Sequence, residues 1–362
     1  MEQKLRRPRL WERWVGPRKA SADTIGEVLC GFEISTLRRP LIAMIKSAWR
    51  SKAVQLRPGQ SMRVVSFDGH ELWKSRSRCC PNCQVRSVRY RGRKVKEYYH
   101  QVVVAQFVGT NPSLPLDLEM VAGKEGEIMA ARRLLSRILA NYSRLVDVIT
   151  ADALYLEGPF LRQIVENGKY FVTVMKQQRR DIYKDADALR RKRFTPKVFI
   201  SGGKQVRLWD IPNLSTFTTL GSKVRVVWAE EQTTVNRRVA GKPQPEIKSS
   251  TWIWITNLPQ ATVPATVVQQ WGHDRWDVEN RCFNEMVCHW NMDHCFIHDI
   301  NAAEAILLTL AIAFATSYLF FARNLKPQFR CLLTRLELAS RFLEDIALSA
   351  DSFSWSILPA PD

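Results

Sequence analysis

Residues 146–176, VDVITADALYLEGPFLRQIVENGKYFVTVMK, hold an apolar run, a helical pattern and a second apolar run. The runs VDVITAD and KYFVTVMK have the length and composition of buried strands. The helical pattern between them ends at Gly168, because glycine is a common residue just past a helix C-terminus. A strand, a helix and a strand in this order predict a mixed α/β layer with helices packed on a sheet.

The flanking sequence extends this pattern in both directions. Upstream, MRVVSFDG, EYYHQVVVAQFVG and LPLDLEMV are strand-like runs separated by turn signals, and a helix is predicted at roughly residues 125–142. Downstream, residues 177–265 contain VRLWDI, KVRVVWAEE and TWIWITNL among Gly and Pro punctuation, which predicts an inserted β-rich subdomain. Helical patterns return near Pro264 and continue to about Ala350.

Charge is the most informative feature of the composition. The 362 residues include 54 Lys and Arg against 35 Asp and Glu, a net charge of +19. This excess favours a polyanionic partner, with nucleic acid ahead of an acidic membrane surface. The basic, aromatic start MEQKLRRPRLWERW lacks the apolar run of a secretory signal, and the eight cysteines have no disulfide-framework spacing. We therefore expect a cytoplasmic protein.

One segment conflicts with that expectation. Residues 305–322, AILLTLAIAFATSYLFFA, carry no charge and reach the lower length limit of a membrane span. The segment also contains Thr309, Thr316 and Tyr318, and a fully buried helix is apolar all round as well. A core helix is the favoured interpretation, and a membrane anchor remains the alternative.

Three acidic residues stand out by position. Asp68 and Asp152 each end an apolar strand-like run, so both are expected at the carboxyl edge of the sheet. At about 100° per residue, Glu279 faces the core with Arg275, whereas Asp274 points elsewhere. Each acid alone has a simpler interpretation, as a turn former, a helix cap or an ion pair with arginine. Together, three carboxylates are suited to two Mg²⁺ or Mn²⁺ ions rather than Zn²⁺.

The order of these residues resembles a known family. Asp68 in FDG, Asp152 in TADALYLEGPF and Glu279 in RWDVEN, with a β-rich insertion before the third acid, resemble the IS4-type DDE transposases of bacterial insertion sequences. The resemblance covers about residues 60–325. It implies an RNase H-like fold, a metal-binding catalytic triad of Asp68, Asp152 and Glu279, and an arginine near the DNA at Arg275. The family's tyrosine and lysine positions hold Gly272 and Met286 instead.

This resemblance gives the predicted segments their roles. Residues 1–58 would form a basic helical DNA-binding segment, residues 59–176 and 266–325 the catalytic core, residues 177–265 the insertion, and residues 326–362 a helical tail. The implied activity is metal-dependent cleavage and strand transfer on the terminal inverted repeats and target DNA, by a homodimer associated with the nucleoid. The alternatives are a nuclease of the same fold without strand transfer, a DNA-binding repressor derived from an inactive transposase, and a membrane-anchored protein.

Basic and aromatic residues are candidates for DNA contacts. Basic clusters lie at residues 4–9, 86–96, 176–180 and 190–193, and the third contains Lys176, Arg179 and Arg180. Trp209, Trp228, Trp252 and Trp254 have strand spacing, which favours core packing over stacking on an extruded base.

A second metal site is possible by composition. Cys80 and Cys83 form a C-x-x-C pair, and two of the histidines in the downstream run that holds His289, His294, Cys295 and His298 would complete a tetrahedral Zn²⁺ site. The simpler interpretation is a pair of thiols in a turn.

Overall fold

The structure is a computed structural model that describes residues 20–176, 178, 180–239, 242–332 and 334–341. Arg179 and the basic cluster at residues 4–9 therefore lie outside the described residues, as does the last part of the helical region expected up to Ala350. The chain divides into two compact units, Val54–His294 and the pair of segments Met1–Ala53 and Cys295–Asp362. Each unit is described separately.

A mixed sheet dominates the unit Val54–His294. Its strands are β2 (Val64–Ser75), β3 (Gln84–Tyr90), β4 (Arg93–Val108), β6 (Pro115–Met120), β7 (Val148–Ala151), β8 (Tyr170–Val174), β9 (Lys197–Ser201), β10 (Lys204–Leu214), β11 (Val224–Val239) and β12 (Lys242–Thr256). They run in the order β3-β4-β2-β7-β8-β12-β11-β10-β9, with β6 also on β4. The short strands β1 (Gln55–Leu56) and β5 (Thr110–Asn111) pair separately. The mixed α/β fold class is confirmed.

Helices of this unit flank the sheet. They span Glu127–Tyr142, Gly158–Glu166, Asp181–Lys192, Ala265–Asp274 and Asn284–Trp290, with 3₁₀ turns at Ser143–Leu145 and Ala153–Tyr155 and a π-helix at Val278–Phe283. The first of them buries Ala131, Leu134 and Ile138 at helical spacing, as its sequence predicts. Helix and strand together enclose the apolar core beneath the carboxyl edge of the sheet.

The register of the neighbouring strands β2, β7 and β8 determines which residues lie together at the carboxyl edge of the sheet. β2 and β7 are parallel with Phe67 opposite Ala151, and β7 and β8 are parallel with Ala151 opposite Thr173. The parallel pairing stops at this level, but β2 itself continues to Ser75, so Asp68 lies inside β2 and not at its end as expected. Asp68 and Asp152 each come directly after the paired positions Phe67 and Ala151.

Strands within residues 177–265 join the same sheet. β12 pairs antiparallel to β8, with Trp254 opposite Val174, and β11 and β10 continue outward from it. Trp209, Trp228 and Trp254 are buried, which confirms the core interpretation of these three tryptophans. Trp252 is half-buried. The limits of an inserted subdomain stay a prediction.

A β-hairpin occupies the basic run at residues 86–96, where the sequence indicated only a charge cluster. β3 and the first half of β4 pair from Gln84 opposite Tyr99 to Tyr90 opposite Arg93. Arg91 and Gly92 form the turn with φ of 49° and 78°, and glycine adopts such values without a Cβ penalty. Val85, Val88 and Val95 favour a strand, but neither face of the hairpin is strongly apolar. The sequence therefore shows no alternation of apolar and charged residues that would predict the strands.

In the other unit, the described helices are Ala22–Cys30, Ile34–Arg50, Ile300–Arg323 and Pro327–Arg330. Ile300–Arg323 is long and apolar enough to cross a membrane, and 33% of its most apolar window is buried. It contacts the N-terminal helices through polar groups as well: Asn301 donates to the carbonyls of Leu29 and Phe32 at 3.1 and 2.9 Å. The core-helix interpretation stays a prediction, since this degree of burial does not decide it.

Candidate active site

Asp68 and Asp152 lie side by side at the carboxyl edge of the sheet. Asp68 is buried within β2, and Asp152 follows β7. Asp152 also caps the 3₁₀ turn Ala153–Tyr155, accepting a 2.8 Å hydrogen bond from the backbone N–H of Leu154. The capping interpretation and the site interpretation are therefore compatible, because a carboxylate has a second oxygen to offer.

An arginine links the first acid to the third. Nη1 of Arg275 lies 2.8 Å from Oδ2 of Asp68 and 3.2 Å from Oε1 of Glu279. A cavity of about 360 Å³ opens beside them, lined by Asp68, Gly69, His70, Glu279, Phe283, Asn284 and Val287. The structure thus brings Asp68 of β2 and Glu279 of the helical segment to one cavity.

The inward orientation expected for Glu279 is only partly correct. Its side chain is 40% exposed and faces the cavity, whereas Arg275 is buried as expected. Asp274, expected to point away, is buried and pairs with Arg57. Glu279 is the second residue of the π-helix Val278–Phe283, which advances less than 100° per residue, so the phase of a regular helix does not hold there. Asp274 precedes the π-helix, and its burial accompanies its ion pair with Arg57.

Burial and neighbouring charge determine the state of Asp68. The pKa of Asp68 is raised to about 7, mainly by burial, with Arg275 acting in the opposite direction and the nearby carboxylates Glu279, Asp152 and Glu127 adding to the increase. Several acids around one point cannot all stay ionised without a cation between them. The residues present therefore fit a divalent metal with oxygen ligands.

Glu127 is a fourth acid of this cluster that sequence reasoning missed. It begins the helix Glu127–Tyr142, and its carboxylate accepts a 2.5 Å hydrogen bond from the hydroxyl of Tyr155 and another from Gln101. A Cβ at Gly69 would overlap this carboxylate, so the FDG glycine makes room for it. Burial raises the pKa of Glu127. Acidic residues are common in the first turn of a helix, where they interact favourably with the helix dipole. The position of Glu127 in the sequence therefore did not indicate a site residue.

His70 is a second missed residue of the cavity. Its ring stacks on Phe283 at 4.7 Å with an interplanar angle of 29°, and its Nε2 lies 2.8 Å from Oδ1 of Asp293. The signal was present in the sequence, because residues i and i+2 of a strand share a face and His70 is two positions after Asp68.

The two departures from the family pattern have structural reasons. A Cβ at Gly272 would overlap the indole of Trp254, which is fully buried against this glycine. Met286 is buried, with the thiol of Cys282 at 3.6 Å from its sulfur. Both positions are packed into the core, so neither presents a polar side chain to the cavity.

The residues expected to contact DNA differ in their exposure. Lys176 is exposed two residues after β8, close to the edge that holds the acids. Arg180 instead donates to the carbonyl of Leu156 at 2.9 Å and contacts Glu157, which anchors its guanidinium to the protein. Arg179 is outside the described residues. On the β3–β4 hairpin, Arg89, Arg91, Arg93, Lys94 and Lys96 are exposed.

Cys80 and Cys83 lie next to each other, as their spacing predicts. Their Sγ atoms are 3.7 Å apart, and both approach Nε2 of His100. His100 is a β4 residue that sequence reasoning did not connect with the pair.

A buried glutamate supports the helix that precedes Arg275. Glu231 of β11 accepts hydrogen bonds from His273 at 2.6 Å and Gln269 at 2.8 Å, and from Lys204 at 3.0 Å. Burial alone would raise the pKa of Glu231, but these partners lower it to about 2. The contacts hold the helix Ala265–Asp274 on the sheet.

This contact predicts acid sensitivity. Because the folded pKa of Glu231 is below its unfolded value, its contribution is complete above about pH 4.5 and is lost as pH falls toward 2. We expect the wild-type free energy of unfolding to decrease by on the order of 2 kcal/mol over that range through this group. Urea unfolding from pH 5 to pH 3 should give a shallower decrease for Glu231→Gln than for wild type or for the exposed Glu166→Gln. Parallel profiles would contradict the assignment.

Comparison with known proteins gives one match. A family model described as a transposase DDE domain matches residues 60–315. None of the curated proteins compared with the chain matches it.

Proposed function

The chain belongs to the transposase DDE domain family, and on that premise we propose that it is an IS4-type transposase that cleaves and joins DNA with divalent metal. The observation that carries the proposal is the arrangement of Asp68, Asp152 and Glu279 at one edge of the sheet, with Arg275 joining two of them. Asp68 and Glu279 line one open cavity, Asp152 follows the strand paired with β2, and such a group of carboxylates is suited to metal-assisted phosphodiester chemistry.

The three acids are the proposed metal ligands. Their oxygens are the ligands that Mg²⁺ and Mn²⁺ prefer. Burial, and after it the neighbouring carboxylates, raise the pKa of Asp68, and a bound cation would offset both effects. Two bound ions would supply activation of the attacking water or hydroxyl and stabilisation of the leaving 3′ oxygen. Glu127 adds to the negative charge near Asp68 and Asp152 and is itself held by the hydroxyl of Tyr155.

Arg275 has a positioning role in this proposal. It is buried, donates to Asp68 and Glu279, and lies with its guanidinium carbon 4.7 Å from the ring centre of Trp276. Because the two carboxylates and the ring of Trp276 hold its guanidinium in place, Arg275 orients Asp68 and Glu279 before metal or DNA binds. It also partly offsets their charge, which favours approach of a phosphate.

Double-stranded DNA is the proposed partner. A net charge of +19 favours phosphate binding, and exposed basic residues occur on the β3–β4 hairpin and at Lys176 near the site. We propose that these residues contact the terminal inverted repeats and target DNA. Joining two DNA ends requires at least a homodimer on DNA. We propose that this homodimer acts in the cytoplasm, in association with the nucleoid.

Cleavage of the element's own ends tests the proposal. A plasmid carrying this gene's flanking DNA is incubated with the protein and Mg²⁺, Mn²⁺ or a chelator, and cut ends and joined products are mapped. We expect metal-dependent cuts at the element ends followed by joined products. Cuts without joining would favour a nuclease. Salt-sensitive binding to the ends without cuts would favour a repressor, the outcome consistent with the buried, apolar Gly272 and Met286 positions.

Metal affinity provides a separate prediction. Asp68→Asn removes one proposed ligand and is expected to weaken Mn²⁺ binding about 100-fold or more, because even outer partners of metal ligands contribute 10- to 100-fold. Calorimetric titration of Mn²⁺ into wild type, Asp68→Asn and the exposed Glu166→Gln measures this. Equal affinity in wild type and Asp68→Asn would place the ions elsewhere.

A further inference from the structure

A compact cluster of two thiols and an imidazole lies at the base of the β3–β4 hairpin. The Sγ atoms of Cys80 and Cys83 are 3.7 Å apart, and they lie 3.4 and 3.3 Å from Nε2 of His100. His100 is 1% exposed and Cys83 is buried, while Cys80 is half-buried. The three ligand atoms thus surround one point that is largely screened from solvent.

The spacing of these atoms matches a tetrahedral zinc ion. With Zn–S of about 2.3 Å and Zn–N of about 2.0 Å, two ligand sulfurs lie about 3.8 Å apart and a sulfur and a nitrogen about 3.5 Å apart. The observed separations are 3.7, 3.4 and 3.3 Å. Atoms at these distances leave room for the ion without movement of the backbone.

Three features of the backbone build the cluster. The chain between Cys80 and Cys83 is a tight turn in which the N–H of Cys83 donates to the carbonyl of Cys80 at 3.1 Å and the N–H of Cys80 donates to Sγ of Cys83 at 3.3 Å. A β-bulge in β2, between Glu71 and Lys74, lies opposite His100 and alters the local direction of the strands. The backbone of Pro81 packs so closely on Gly123 that a Cβ there would overlap it.

Other thiol chemistry fits these residues less well. A disulfide has an S–S distance of about 2.05 Å, and the two sulfurs are much farther apart. One imidazole nitrogen at nearly equal distance from two sulfurs is the arrangement expected of three ligands around one metal ion.

We propose that Cys80, Cys83 and His100 bind a structural Zn²⁺ ion. These residues provide three of its four positions, and a water molecule or a side chain from elsewhere in the chain provides the fourth. The site is chemically distinct from the proposed Mg²⁺ site, because sulfur and imidazole ligands select zinc whereas carboxylates select the harder ions.

The position of this ion indicates its role. Cys83 precedes Gln84 and His100 follows Tyr99, and Gln84 opposite Tyr99 is the innermost pair of the hairpin. Zinc held by both residues would connect the two hairpin strands at their base. The exposed basic tip, which includes Arg91, Arg93 and Lys94, would then project from a fixed base.

Metal content of the purified protein tests the site. Untagged wild-type protein, grown with zinc and purified without chelator, is expected to contain about one zinc ion per chain. Cys83→Ser and His100→Asn should lose it. Cys79→Ser is the matched control, because Cys79 is the adjacent exposed thiol outside the cluster, and it should retain zinc. Zinc-free wild type, or equal zinc in Cys83→Ser and wild type, would overturn the proposal.

A second measurement uses only the wild-type protein, so it does not depend on whether the variants fold. Alkylation followed by mass spectrometry should modify Cys79 at once, and should modify Cys80 and Cys83 only after a chelator is added. Protection of Cys80 and Cys83 that does not respond to the chelator would contradict a metal ligand role.

Limited proteolysis tests the structural role. Trypsin should cut residues 76–96 faster after zinc removal, while the cutting rate at sites outside the hairpin stays the same. Unchanged cutting of the hairpin would overturn the proposed fastening of its base.

Discussion

Asp152→Asn is expected to lower the rate of DNA cleavage about a thousandfold or more, because a loss of about 4 kcal/mol of transition-state stabilisation corresponds to that factor. Asn preserves the shape of the side chain and the amide oxygen can still cap Leu154, whose N–H lies 2.8 Å from Oδ1 of Asp152. The fold should therefore be retained while a charged metal ligand is lost. Single-turnover cleavage of a duplex carrying the element's end, with Mg²⁺ or Mn²⁺, measures the effect.

Two comparisons make this result specific. Glu166→Gln removes an exposed carboxylate at the end of the helix Gly158–Glu166 and should cleave at the wild-type rate. DNA binding measured in the presence of chelator should be the same for wild type and Asp152→Asn. Cleavage by Asp152→Asn within a few fold of wild type would remove Asp152 from the proposed site.

Gly272→Ala is expected to lower the free energy of unfolding by about 3 kcal/mol, at the upper end of the usual cost of overpacking a core. The added Cβ would overlap the indole of Trp254, which is fully buried and has no room to move. Urea unfolding of the two proteins measures the change. Gly126→Ala is the control, since a Cβ at Gly126 meets nothing within 4 Å, and it should cost less than about 1 kcal/mol.

A double-mutant cycle tests the cause of that loss. If the clash with Trp254 is responsible, Gly272→Ala should cost much less in a Trp254→Leu background, because the smaller side chain leaves space for the Cβ. An equal cost in both backgrounds would assign the destabilisation to another contact. A small cost in the wild-type background would mean that the helix Ala265–Asp274 shifts freely on the sheet.

This pair of residues also bears on the departure from the IS4 pattern. A tyrosine cannot occupy position 272 while Trp254 fills the adjacent space. The absence of the family's tyrosine is therefore coupled to the packing of β12 on the helix Ala265–Asp274. Single reversion of Gly272 to tyrosine is not expected to restore a DNA contact at this point.

Much of the sheet and two of the acids followed from the sequence alone. Strands that are covered on both faces of a sheet read as continuous apolar runs. Residues 148–151 and 170–174 are such runs, and both form strands. Asp68 and Asp152 were expected to meet because neighbouring parallel strands end at one edge, a rule that needs no knowledge of distant packing. The fold class and the adjacency of these acids were therefore determined locally.

Only the tertiary structure brought Glu127 to Asp68 and His100 to Cys80 and Cys83. Their proximity depends on how a helix docks and on a bulge in a strand pair, and neither leaves a periodic signal in the residues involved. The exposure of Glu279 likewise depends on a π-helix, whose extra residue per turn shifts side chains away from the direction that a regular helix predicts. Periodicity in a sequence reports which face of an element is apolar, whereas contacts between distant elements are set by register and packing. For that reason the sequence determined the framework and the adjacency of Asp68 and Asp152, and the tertiary structure decided which further side chains complete each site.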